Sequence, residues 1–189
     1  GVMKSTFGLQ NQKCSATSRV YVHASVKAAF LEKLLAKTRA ITMGDVTQRD
    51  VWFGPVINDR AVQRWEKAVS QAAREGAVLL GGTRLRGEVF GRGHFVAPTI
   101  AELPLSSSLF FEELFVPFLA VGEVKDLSQA IEETNKAEYG LTGGLFSKKQ
   151  DEIDRFFDEI EAGVCYVNKR SGATTGAWPG FQPFGGWKG

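Results

Sequence analysis

Apolar and polar positions alternate along some stretches of this chain and recur every three or four residues along others. Arg19-Val-Tyr-Val-His23 alternates and is rich in β-branched residues, which predicts a strand. After it, Ser25 is placed to cap a helix whose apolar face carries Val26, Phe30 and Leu34. Asp59 is placed to cap a second helix with Val62, Trp65 and Val69 on one face, and Gly76 offers it a left-handed stop. Ala77-Val-Leu-Leu80 reads as a short buried strand ahead of a Gly81-Gly82 turn, and Phe118-Leu-Ala-Val-Gly-Glu-Val124 as a longer one. Asp126 then caps a helix that runs through Ile131 and ends near Gly140. Residues 141–146 read as a strand whose two glycines admit a close backbone. Ser147-Lys-Lys-Gln150 has the form of a capping box, opening a helix with Ile153, Phe156, Phe157 and Ile160 inward and Gly163 as terminator. Val164-Cys-Tyr-Val167 is the last strand.

Strands alternating with amphipathic helices imply βαβ crossovers, hence an α/β fold with a mainly parallel sheet covered by helices. Residues 40–58, 98–117 and 169–189 do not fit that rhythm. Structureless segments of such length inside a domain are usually functional, unless an element has been overlooked. The last of them holds six glycines and two prolines, interleaved with Trp178, Phe181, Phe184 and Trp187. Glycine permits tight turns and the aromatics offer a wall, the composition of a small-molecule pocket mouth.

The 189 residues suit one domain with a sizeable core. A 43% hydrophobic content excludes disordered and low-complexity classes, and no run of about 18 apolar residues exists to span a membrane. Lys and Arg total 23 against 21 Asp and Glu, leaving no basic footprint for nucleic acid. Two cysteines, Cys14 and Cys165, make no disulfide framework and favour a reducing compartment, the cytoplasm or a mitochondrial matrix. No secretory leader pattern opens the chain, and both ends read as cuts through a longer protein.

Few residues can carry covalent chemistry. Cys14 stands between Lys13 and Ser15 with Arg19 nearby, and neighbouring cations favour the reactive thiolate, although an isolated cysteine is ordinarily a small buried hydrophobe. The residues before it, 3–9, read as a helix end or turn. Cys165 sits in an apolar run and reads as a buried strand residue. His23 and His94 are each solitary, no protease signature accompanies them, and no metal-ligand spacing exists, so no metal is expected. Glu112-Glu113 lies among aromatics in a long loop, where a carboxylate could accept hydrogen bonds from ribose hydroxyls. No glycine-rich phosphate-binding fingerprint follows a strand.

Four segments in order resemble the aldehyde dehydrogenase superfamily over essentially the whole chain. These are Phe7-Gly-Leu-Gln-Asn-Gln-Lys-Cys-Ser-Ala-Thr-Ser-Arg19, Phe111-Glu-Glu-Leu-Phe-Val-Pro117, Glu138-Tyr-Gly-Leu141 with Gly144-Leu-Phe-Ser147, and Pro183-Phe-Gly-Gly-Trp-Lys188. Gln12-Lys-Cys-Ser15 and residues 172–189 look most like the branch that oxidises glutamate semialdehyde (1-pyrroline-5-carboxylate) to glutamate. The resemblance implies Cys14 as nucleophile, passing through a thiohemiacetal and a thioester. It implies Glu113 and Phe115 at the nicotinamide ribose and ring, and Ser15 with the Gly172-Ala173 backbone on the substrate carboxylate. Phe184 would line the aldehyde pocket, with Lys13 beside it.

The resemblance further implies NAD (or NADP) held mainly by a nucleotide-binding domain that lies upstream in the family, so that residues 1–189 are the catalytic domain, truncated at both ends. A homo-oligomer is implied for the complete protein. Asn11 and Val116 stand where the family has glycine. Asparagine accommodates a left-handed backbone, whereas a β-branched residue resists it, so a glycine-only conformation at 116 would displace Glu113 and Phe115. Two other readings remain open from sequence: a non-catalytic remnant serving as an association module, and a cofactor-independent cysteine esterase.

Overall fold

The computed structural model describes residues 1–169 and 188. Helix α1 (Val2–Phe7) and a 3-10 turn (Gly8–Asn11) lead to strand β1 (Arg19–His23) and helix α2 (Ala24–Arg39). Helix α3 (Asp59–Glu75), β2 (Ala77–Leu80), β3 (Thr99–Glu102), β4 (Phe118–Val124) and α4 (Leu127–Asn135) follow. The described part closes with β5 (Thr142–Leu145), α5 (Gln150–Glu159) and β6 (Val164–Val167). Four strands form one sheet in the order β1-β4-β3-β2, with β1, β4 and β3 parallel and β2 antiparallel at the edge. Strands β5 and β6 form a separate parallel pair. The α/β class and the mainly parallel, helix-covered sheet expected from the sequence are both present.

Alternation along β4 explains how the sheet is covered. Phe118 and Ala120 face a cluster with Val62, Trp65, Ala68 and Ala72 of α3, while Leu119 and Val121 face Phe7, Leu34 and Phe53 on the other side. All of these are buried. Strand β3, inside a segment that looked irregular, is the element the sequence pattern missed. Thr99, Ile100 and Ala101 are all fully buried, so a strand covered on both faces shows no polar alternation. Its polar residue is accommodated by hydrogen bonds: Thr99 Oγ1 receives Trp65 Nε1 at 3.2 Å and the Gly82 amide at 3.0 Å, and donates to the Ala97 carbonyl at 2.9 Å.

Several boundaries differ from expectation. Helix α2 starts at Ala24, and His23 rather than Ser25 caps it, its ring accepting from the Ser25 amide. Asn58 rather than Asp59 caps α3, because its extended backbone aims the amide oxygen at the Ala61 N–H, 3.0 Å away. Asp126 caps α4 as expected, but the helix closes at Asn135. Helix α5 has no side-chain cap; Ser147 Oγ bonds Glu152 instead, and Ile160, not Gly163, follows its last turn. Gly76 has an extended φ of −158°, and what requires glycine there is space, since a Cβ would lie 2.2 Å from the Glu102 carbonyl oxygen. Val26 and Phe157, expected inward, are 54% and 52% exposed, and Cys165 is half-buried rather than sealed. No described helix is long and apolar enough to cross a membrane.

Candidate active site

Cys14 lies on a turn whose shape follows from the residues before it. Leu9, Gln10 and Asn11 all take left-handed backbone, with φ of 52°, 56° and 60°. Asparagine tolerates this region better than most residues other than glycine. The Asn11 side chain is buried and donates to the Thr17 carbonyl at 2.9 Å, bridging the turn. Ser5 and Thr17 hydroxyls meet at 2.6 Å, the Ala16 amide donates to the Lys13 carbonyl at 3.0 Å, and Gln12 accepts from the Ile57 amide at 2.9 Å. The outcome is a fastened loop that exposes Lys13 and Cys14 and buries Ser15.

A second loop comes to the same place. A 3-10 turn (Ser108–Phe110) is held by Ser107, whose hydroxyl donates to Glu75 at 2.5 Å, and Ser108 donates to Glu112 at 2.6 Å. Beyond it Leu114 and Val116 turn into the core, while exposed Glu113 and half-buried Phe115 turn out between them. The left-handed residue here is Phe115, with φ of 52°. Val116 avoids that region and is fully buried, so its backbone is one a β-branched residue can adopt.

Cys14, Lys13, Glu113 and Phe115 line one cleft of about 1170 Å3. Of the remaining candidates, Ser15 is buried behind the turn and does not line the cleft, and Gly172, Ala173 and Phe184 lie outside the described residues. Among the described residues Glu113 takes no hydrogen bond, so its carboxylate is available to hydroxyls such as those of a ribose. Three cleft-lining groups went unassigned in the sequence: Arg19, whose Nη2 donates to the Tyr139 carbonyl at 3.1 Å, Tyr166, and Lys169, whose Nζ stands 4.1 Å above the Tyr166 ring. Nothing local signals them, because residues 120 positions apart meet here.

Burial lowers the Arg19 pKa and pushes Tyr21 up to about 12. Burial also raises the Cys165 thiol, whose Sγ faces the Ala162 carbonyl at 3.6 Å. Of the two histidines, His23 lines the cleft and caps α2, and His94 lies away from it with Nδ1 3.2 Å from Asp59. Among the described residues no three His, Cys, Asp or Glu side chains converge as metal ligands.

The family model of the aldehyde dehydrogenases matches residues 1–189 without interruption. The chain belongs to the aldehyde dehydrogenase family. This bears out the resemblance carried by the four segments. Within the aldehyde dehydrogenases it is 36% identical to 1-pyrroline-5-carboxylate dehydrogenase 1 of Halalkalibacterium halodurans, over 99% of this chain and 35% of that protein. It is 34% identical to α-ketoglutaric semialdehyde dehydrogenase of Bacillus subtilis, over 99% of this chain and 38% of that protein. The solved 1-pyrroline-5-carboxylate dehydrogenase from Thermus with bound NAD superposes with a TM-score of 0.88 at 35% identity, covering 98% of this chain and 35% of that one. Proline utilization A from Bdellovibrio bacteriovorus does so at 0.88 and 36%, covering 100% and 19%. The chain thus spans about a third of the length of the curated relatives it matches.

Proposed function

We propose that residues 1–189 are the catalytic portion of an NAD(P)-dependent aldehyde dehydrogenase that oxidises glutamate semialdehyde to glutamate, with Cys14 as nucleophile. The observation that supports this most is the meeting of an exposed cysteine with Glu113 and Phe115 on one cleft. The names of the similar proteins, 1-pyrroline-5-carboxylate dehydrogenases among them, supply the substrate class.

In this reading the Cys14 sulfur adds to the aldehyde carbon, and the oxyanion of the resulting thiohemiacetal is held by backbone donors, the Cys14 N–H among them. Glu113 would accept from ribose hydroxyls and Phe115 would pack beside the ring, and the nicotinamide, when bound, takes up hydride. Water then cleaves the Cys14 thioester, with the thiolate as leaving group. Ser15 and the Gly172-Ala173 backbone would hold the substrate carboxylate through charge-assisted hydrogen bonds, each worth roughly 1.5–3 kcal/mol, enough to prefer an acidic aldehyde. Lys13 would stand beside them, and Phe184 would line the aldehyde pocket. The nucleotide-binding domain would be contributed by polypeptide outside these residues, and the complete protein would be a homo-oligomer.

The test is NADH formation from glutamate semialdehyde by the complete polypeptide and by its Cys14→Ala variant. Loss of about a thousandfold or more in kcat, with unchanged thermal stability, is expected of a nucleophile. Undiminished oxidation by the variant would refute the assignment. Turnover of an activated ester that needs Cys14, in a protein unable to form NADH, would point to the cofactor-independent hydrolase.

A further inference from the structure

The turn that carries Cys14 is held in an unfavourable backbone, and one buried side chain closes it. Leu9, Gln10 and Asn11 pass consecutively through the left-handed region, which L-residues visit singly rather than in succession. Such a run persists only where its surroundings over-determine it. Burial does not hold its first residue, since Leu9 is 66% exposed, and Gln10 is half-buried. Asn11 is the buried member of the three, at 4% exposure.

Its amide makes a bond that spans the turn. Asn11 Nδ2 donates to the Thr17 carbonyl at 2.9 Å, and Cys14 stands midway, three residues from either end of the bridge. Thr17 is itself fixed. Its amide donates to the Ser5 carbonyl at 3.3 Å, and its hydroxyl meets Ser5 Oγ at 2.6 Å. The next residue, Ser18, accepts from the Ala120 amide at 3.0 Å, where β1 begins to pair with β4. Two closures are therefore nested around Cys14. The inner one, from the Ala16 amide to the Lys13 carbonyl at 3.0 Å, lies within the turn and moves with it. The outer one, made by Asn11, refers the turn to α1 and to the sheet.

We infer that Asn11 is a positioning residue for the nucleophile: its side-chain bond to Thr17 sets where the Cys14 sulfur stands in the cleft. The inference rests on the reading of Cys14 as nucleophile. Addition of sulfur to a carbonyl carbon needs the two atoms about 3–3.5 Å apart and aligned, and a displacement of about 1 Å costs on the order of a hundredfold in rate. Asn11 and Cys14 line the same cleft, so the bond borders the space in which the aldehyde would react. Glycine, which the family has at position 11, takes left-handed backbone freely and offers no side-chain donor. Asparagine accommodates the same backbone and adds the donor. It acts through the turn and not on the substrate.

Steady-state oxidation of glutamate semialdehyde by the complete polypeptide separates the backbone from the bond. Asn11→Gly keeps the backbone and removes the donor. Asn11→Asp keeps the shape and the left-handed tolerance, and sets a carboxylate against the Thr17 carbonyl. Both should lower kcat about tenfold or more, with KM for the aldehyde and for NAD changed less than about twofold. Thermal unfolding reads the fold separately. A kcat per folded molecule that stays unchanged, whatever the melting temperature, means that Asn11 serves only the fold and overturns the inference. Full kcat in Asn11→Gly alone overturns it as well, because the backbone conformation would then suffice. Should Asn11→Asp not fold, Asn11→Gly decides alone. Cys14→Ala, measured beside them, keeps two failures apart. Activity retained without Cys14 refutes the nucleophile and this inference with it, whereas activity lost without Cys14 and retained without the Asn11 amide refutes the positioning alone.

Discussion

Two thiols with the same covalent structure meet different surroundings in this protein. Cys14 is exposed on a fastened turn, whereas Cys165 is half-buried on β6 with its thiol pKa raised by burial. Alkylation follows accessible thiolate, so limiting iodoacetamide near neutral pH should label Cys14 more than about tenfold faster than Cys165, read by peptide mass spectrometry. Equal labelling would show that the turn is not presented as described. Tyr21 gives a second measurement at this scale. Its phenol is partly buried, stacked on Phe110 at 5.3 Å, and pushed up to about 12. The folded state therefore favours the neutral form: the contribution is complete below pH 10, where the unfolded chain also holds its proton, and is lost as pH rises towards 12. Urea unfolding between pH 9 and 11 should show the native chain losing on the order of 1 kcal/mol per pH unit above pH 10 relative to Tyr21→Phe.

Elements owe their ends to single side chains and their positions to the faces they bury. Helix α3 illustrates both, with Trp65 and its neighbours buried against the sheet and Asn58 receiving the Ala61 amide. Asn58→Ala should cost about 1 kcal/mol, lowering Tm by a few degrees, because it leaves a first-turn N–H without its partner. Asp59→Ala should cost only a few tenths, since this carboxylate is 70% exposed and helps the helix only through its dipole and its neighbours Arg84 and His94. Thermal unfolding of the two variants would separate them, and a larger loss at Asp59 would return the cap to that residue. Strand β3 shows the opposite case. Its position comes from pairing with β2 and β4 at the same time, and no local pattern carries that information.

Across the whole molecule, distant segments are tied at a few crowded points. At one of them the Gly140 amide donates to the Lys188 carbonyl at 3.0 Å, the Gly163 amide donates to the Gly140 carbonyl at 2.8 Å, and Lys188 pairs with Glu161 at 2.5 Å while also donating to the Asn135 carbonyl. A Cβ on Gly140 would sit 2.7 Å from the Glu161 carbonyl oxygen and 3.1 Å from Lys188 Cβ. Gly140→Ala should therefore destabilise by about 1–3 kcal/mol, whereas Gly91→Ala, with nothing within 4 Å of its Cβ, should be near neutral. Equal melting temperatures for the two variants would show that this junction yields freely.

The same scales separate what was legible in the sequence from what was not. Strands β1, β2, β4 and β6 follow from local composition and periodicity, because their residues carry the bias wherever the chain is cut. The family likeness could likewise be read from short motifs, which also single out Cys14, Glu113 and Phe115 as candidates. Tertiary structure alone decided that Cys14 and Phe115 share a cleft, that Phe115 and not Val116 takes the left-handed backbone, and that β1 and β5 leave a gap between them. Those outcomes depend on contacts between residues about a hundred positions apart. Burial and strand pairing are settled when such segments meet in space, and no stretch of neighbouring residues encodes the meeting.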